Sequence, residues 1–167
     1  YYLGGAISTG NEAGSLTLID CDLSHNSLSE GFSAGGAVFF SLDKLLTINT
    51  TFSDDVAVSD GGSIHLENAE EMAEIKGSTF KRGSAYNGAG IKVDSRSYAE
   101  VSDSTFDGMS GRFGGGLSFS RKSNGKMWRV SLGDNNVSKT GGAIKIADAG
   151  SLVLDDVVLT DNVAQDG

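Results

Sequence analysis

Short runs along the chain read apolar, outward, apolar: Ile64-His65-Leu66, Ile91-Lys92-Val93, Leu117-Ser118-Phe119 and Ile144-Lys145-Ile146. A period of two places the first and third side chains on one face of a strand and the middle one on the other. No helix-length apolar stripe competes, so the pattern predicts short β-strands throughout. The runs also return at a fixed interval. They follow glycine-rich tetrapeptides, Gly4-Gly5-Ala6-Ile7, Gly35-Gly36-Ala37-Val38, Gly61-Gly62-Ser63-Ile64, Gly88-Ala89-Gly90-Ile91, Gly114-Gly115-Gly116-Leu117 and Gly141-Gly142-Ala143-Ile144, whose first glycines are 31, 26, 27, 26 and 27 residues apart.

A second series precedes each later glycine pair. Leu23, Phe52, Leu132 and Leu159 are followed three positions on by Asn26, Asp55, Asn135 and Asn162, while Phe80 and Phe106 hold the same place before Gly83 and Met109. Near the two ends, Ala13-Gly14-Ser15-Leu16-Thr17-Leu18 and Ala149-Gly150-Ser151-Leu152-Val153-Leu154 repeat almost word for word. A unit of about 27 residues with two or three strands cannot bury its own inner face, so units must stack. The expected architecture is all-β: a right-handed, single-stranded parallel β-helix of about six coils, open at both ends.

Residues 1–167 read as one continuous β-helix segment, an excerpt of a longer chain. Two interior columns are expected, Ile7, Val38, Ile64, Ile91, Leu117, Ile144 and Leu23, Phe52, Phe80, Phe106, Leu132, Leu159. Ser8, Phe39, His65, Lys92, Ser118 and Lys145 form the outward column beside the first. The polar residues after the second column are expected to turn inward at a corner and satisfy backbone groups. Phe80→Asp is accordingly expected to cost several kcal/mol, and Lys92→Asp little.

Composition supports this picture: 24 glycines supply corners, and the absence of proline leaves ladder hydrogen bonding uninterrupted. A net charge of −9 argues against nucleic acid, which is bound through clustered Lys and Arg. The densest basic stretch, Arg121, Lys122, Lys126 and Arg129, reads as one solvated loop. The segment carries no apolar run long enough for membrane insertion. The single cysteine, Cys21, has no internal disulfide partner and reads as a buried, inert thiol in a column with Thr50, Ser78, Ser104, Val130 and Val157.

The alternating Gly-Gly-Ala-Ile-like and Phe-x-x-Asn-like tetrapeptides resemble the repeats of the chlamydial polymorphic membrane proteins, and similar repeats occur in large surface proteins of eukaryotic algae. The resemblance spans the whole chain. It implies a β-helical passenger displayed at a cell surface and used in adhesion.

Residue chemistry for catalysis is sparse. The outward column supplies no acid pair, and Asp54-Asp55 and Asp155-Asp156 lie in distant coils at different phases. Asp20, Asp103 and Asp156 share a phase but fall in coils that are not neighbours. Calcium is conceivable around Asp54, Asp55 and Asp60 or around Asp155, Asp156 and Asp161, although Asp at turns usually caps its own backbone, and no cofactor or metal is expected. His25 and His65 read as plain surface histidines. Thr51, Thr79 and Thr105 align as a partial threonine column. Asn49-Thr50-Thr51 and Asn136-Val137-Ser138 are N-glycosylation sequons, making Asn49 and Asn136 candidate sites in a secreted setting.

The function expected is a non-catalytic extracellular or cell-surface rod, structural or adhesive, whose partners are other copies, surface or matrix proteins, or glycans. The alternative is a polysaccharide-binding or polysaccharide-cleaving β-helix.

Overall fold

The computed structural model describes residues 2–9, 14–41, 44–69 and 71–166. Ala13 of the end-to-end repeat, and the terminal Tyr1 and Gly167, lie outside the described residues. Three parallel sheets wind around one interior, and no helix occurs among the described residues.

Sheet I holds the strands Ser27–Leu28, Val56–Ala57, Ser84–Asn87, Ser110–Phe113, Asn136–Thr140 and Val163–Ala164. Sheet II holds Ile7–Ser8, Val38–Ser41, Ile64–Glu67, Ile91–Asp94, Leu117–Phe119 and Ile144–Ile146. Sheet III starts at Leu16–Ile19 and ends at Ser151–Thr160, each strand pairing with its equivalent one coil away. Register follows the repeat: Ile64 pairs with Val38 on one side and Ile91 on the other, and Phe80 with Phe52 and Phe106.

Sharp corners separate the sheets, and each is a column of residues at positive φ. The first glycines Gly4, Gly35, Gly61, Gly88, Gly114 and Gly141 all have φ between 59° and 72°. A second corner stacks Asp20, Asn49, Gly77, Asp103, Arg129 and Asp156, and a third stacks His25, Asp54, Arg82, Gly108, Asp134 and Asp161, again all at positive φ. Asp and Asn tolerate this conformation through local hydrogen bonds, whereas arginine does so only with support. Here Arg82 makes a two-pronged ion pair to Asp54 (2.8 and 2.6 Å) and Arg129 the same to Asp103 (2.6 and 2.8 Å), each one coil down. These guanidinium groups hold both carboxyls below their usual range.

Both expected interior columns are interior. Phe52, Phe80 and Phe106 are fully buried and stack face to face, with ring centroids 4.8 and 4.5 Å apart. Thr50, Ser78 and Ser104 lie beside them, buried, their hydroxyls donating to the carbonyls two residues back. Cys21 shares that column but is half-buried in the first coil, its Sγ 3.3 Å from the Ile19 carbonyl. In the last coil, Leu159 of the second column is exposed and Ile144 of the first is half-buried, no further coil covering them among the described residues.

The expected inward turn of the corner amides is also present. Asn135 donates to Asn162 Oδ1 (2.8 Å) and to the Phe106 carbonyl (3.3 Å), and Asn26 donates to Asp55 Oδ1 (2.9 Å) in the equivalent place. Asp55 therefore puts a carboxyl where three other coils have a carboxamide. Its second oxygen is buried with no partner among the described residues, and burial pushes its pKa up to about 6. The Asn26 donors pull the other way and lose to burial. A group whose folded pKa lies above its unfolded value of about 3.9 gives full stability below that value and loses it as pH rises through about 6. Asp55→Asn is therefore expected to stabilise the chain by about 1–3 kcal/mol at pH 8, with the gain vanishing below about pH 4, as read from urea melts across pH.

Candidate functional site

The outward column beside the first interior ladder is not solvated. Phe39, His65, Lys92 and Ser118 are each no more than 5% exposed, whereas Ser8 remains exposed and Lys145 half-buried. The outer surface of sheet II is concave there, with side chains of the flanking columns standing over it. The result is a groove along the helix axis, across the strands.

Three columns line it. The residues just before the first glycines, Asp60, Asn87 and Phe113, form one wall, with Asn87 Nδ2 donating to Asp60 Oδ1 at 2.8 Å. Phe39, His65, Lys92, Ser118 and Lys145 form the floor. Glu67 and Asp94, the next outward positions on the same strands, and Ser120, just past the end of Leu117–Phe119, form the other wall together with Arg121.

The groove is cross-linked by its own polar groups. Lys92 Nζ donates to Ser120 Oγ at 2.5 Å, and Ser120 Oγ donates to Asp94 Oδ1 at 3.0 Å. Asp94 Oδ2 lies 3.4 Å from Arg121 Nη1. Burial lowers the Lys92 pKa, opposed by Asp94 and Asp60, and burial followed by Asp94 raises that of Glu67. Lys145 Nζ sits 3.5 Å from the centre of the Phe113 ring, an arrangement favourable for a cation over an aromatic face. Toward the first coils the groove opens into a cleft of about 690 Å³ with Phe39, Ala34, Asp60, His65 and Glu67 on its lining.

His65 is therefore not the surface histidine its place in the alternation implied. Its ring lies beside Phe39, centroids 5.5 Å apart, and burial lowers its pKa to about 4, so it is neutral near pH 7. His25 is the exposed histidine, with Nε2 3.8 Å from Asp54 Oδ2.

The expected mildness of Lys92→Asp is overturned for the same reason. An aspartate there would stand between Asp94 and Asp60 without its cation, and we expect a loss of about 2 kcal/mol in urea denaturation, with Lys92→Met far milder.

The remaining candidates are not brought together. Asp54 is committed to Arg82 on the outside, Asp55 is inside, and Asp60 is in the groove wall. Among the described residues no group of three His, Cys, Asp or Glu side chains is placed to hold a metal ion. The basic stretch is not a single loop: Arg121 and Lys122 form a turn, but Lys126 and Arg129 stand on the strand Asn124–Gly133, Lys126 over the Trp128 ring and Arg129 on Asp103. Thr51, Thr79 and Thr105 do align in register. Asn49 is exposed at a corner, with Nδ2 3.3 Å from Asp20 Oδ1, and Asn136 is exposed on the outer face of sheet I.

The groove walls are what sequence reasoning missed. Extending each alternation by one pair reaches Glu67 and Asp94, and the residue before each first glycine gives Asp60 and Asn87, so the signal was present.

A family model described as a right-handed β-helix region matches residues 5–166. No curated protein and no solved structure matches the chain.

Proposed function

The chain belongs to the right-handed β-helix family, and on that premise we propose that it is a non-catalytic extracellular rod that uses its axial groove as an adhesive contact face. The observation that carries this reading is the groove itself: a concave surface lined by both acids and bases, its side chains bonded to one another from coil to coil. Preorganised polar surfaces bind with little loss of side-chain freedom. The repeat resemblance to chlamydial polymorphic membrane proteins adds a cell-surface setting, and exposed Asn49 and Asn136 are compatible with glycosylation there.

Because the groove is open along the axis, it also suits the second reading, a β-helix that binds or cleaves polysaccharide. One set of measurements separates them. Beads carrying the purified chain are tested for adhesion to immobilised matrix proteins, glycans and cell surfaces, and the soluble chain for cleavage of a polysaccharide panel. Adhesion lost on Lys92→Met and kept on Glu74→Lys, which alters the outer face of sheet III, is the expected result. Adhesion indifferent to Lys92, or new chain ends appearing in a polysaccharide, would sink the non-catalytic groove reading.

A further inference from the structure

The outer face of sheet I carries an exposed strip that runs along the axis. The ladder of Tyr2–Leu3 with Ser33–Ala34 continues into sheet I through the bridges from Ala34 to Asp60 and from Asp60 to Asn87. Along it, Tyr2, Phe32, Val58 and Tyr86 stand on successive coils, 42–73% exposed. Phe32 is at the rim shared with the groove cleft, and the other three lie outside that cleft. Single exposed apolar residues are ordinary, but a run of four along one face marks a contact surface.

Past Tyr86 the strip turns cationic. Arg112 Nη1 donates to the Tyr86 hydroxyl at 2.5 Å, and its guanidinium lies 4.9 Å from the Tyr86 ring centre and 5.5 Å from that of Phe113. No carboxylate pairs with Arg112 among the described residues, unlike Arg82, Arg121 and Arg129. Lys139, paired with Asp166, follows on the next strand. The chain is polarised in the same sense. Residues 4–60 carry eight acidic side chains against Lys44 alone, whereas 114–140 carry five Lys or Arg against Asp134 alone.

A second copy turned end for end satisfies both halves at once. Parallel pairing in register would set Arg112 on Arg112 and acidic coils on acidic coils. A two-fold axis lying across the strip between Val58 and Tyr86 instead sets Tyr86 on the other copy's Val58, Arg112 on its Phe32 and Lys139 on its Tyr2. Each cation then meets an aromatic face, and exposed Glu30 stands two residues from Phe32 to meet Arg112. The acidic first coil of each copy lies over the basic fifth coil of the other.

We propose that the outer face of sheet I is a self-association surface, through which two copies pair side by side and antiparallel, the aromatic half of each strip on the cationic half of the other. The pairing is independent of the groove.

Sedimentation velocity of the full chain, made without glycan at Asn136 on the same face, tests this. Dimer is expected at about 0.1 mM chain, with pairing about tenfold weaker in about 0.5 M salt than in about 0.1 M. Tyr86→Ser, Arg112→Glu and Glu30→Lys are each expected to weaken it about tenfold. All three side chains are exposed, so melting temperatures are expected to stay unchanged. An equimolar mixture of the Arg112→Glu and Glu30→Lys chains is expected to pair as the parent does, because every junction then joins opposite charges. Lys92→Met is expected to leave pairing unaltered, so loss of adhesion and loss of pairing are read separately. A chain that stays monomeric up to about 1 mM, a dimer indifferent to Arg112→Glu, or a mixture no better than either variant alone overturns the proposal. Capture of monomers by anionic lipid vesicles without self-association overturns it as well, giving the strip to a membrane.

Discussion

Phe80→Asp is expected to leave the chain unfolded in the absence of denaturant. Phe80 is fully buried and sandwiched between Phe52 and Phe106, so its removal breaks two ring stacks and opens a void that adjacent coils cannot close without losing their ladder bonds. Truncating a buried phenylalanine costs about 3–5 kcal/mol, and burying an unpaired carboxylate adds to that, against a typical total stability of about 5–15 kcal/mol. Loss of cooperative melting in circular dichroism is the expected observation. Phe80→Leu is the control, since Leu23 and Leu132 occupy the same column, and it is expected to cost only about 1 kcal/mol. A stable Phe80→Asp protein would mean that the stack is not the core.

Gly62→Ala is expected to be the next most damaging change, for a steric reason. A Cβ at Gly62 would lie 2.1 Å from the Ala89 carbonyl oxygen and 2.9 Å from the Ser84 backbone, both in the next coil. Neither is the end of a movable side chain, so the coils must part, and we expect a loss of about 3 kcal/mol in urea denaturation. Gly108→Asn provides the contrast. Gly108 has φ +65°, but its nearest neighbour to an added Cβ is Arg82 Cγ at 3.6 Å, and its column already holds Asp54 and Asp134 in the same conformation. That change is expected to stay within about 1 kcal/mol.

These contrasts show what repetition made legible. Spacing alone identified the coil and both interior columns, because stacking forces equivalent residues into ladders and apolar residues reveal which side faces in. It also placed Asn26, Asn135 and Asn162 inside the corner, where they bond as expected. What spacing did not reveal is the bend of the corners. Alternation tells inside from outside but not convex from concave, so it sets His65 and Lys92 in solvent although side chains of the flanking columns enclose them. The same blindness treated Lys126 and Arg129 as loop residues, when the coil-below carboxyl of Asp103 makes a corner arginine tolerable.

The parallel register has a mechanical consequence. Ladder hydrogen bonds point along the helix axis, from each coil to the next, so a pull along that axis loads one coil's bonds at a time instead of shearing a whole sheet at once. Under tension the rod would peel from an end in steps, each releasing one coil of about 27 residues, or roughly 90 Å of extended chain. Peeling of this kind proceeds one coil at a time, so the fold would lengthen under load in even steps instead of giving way all at once.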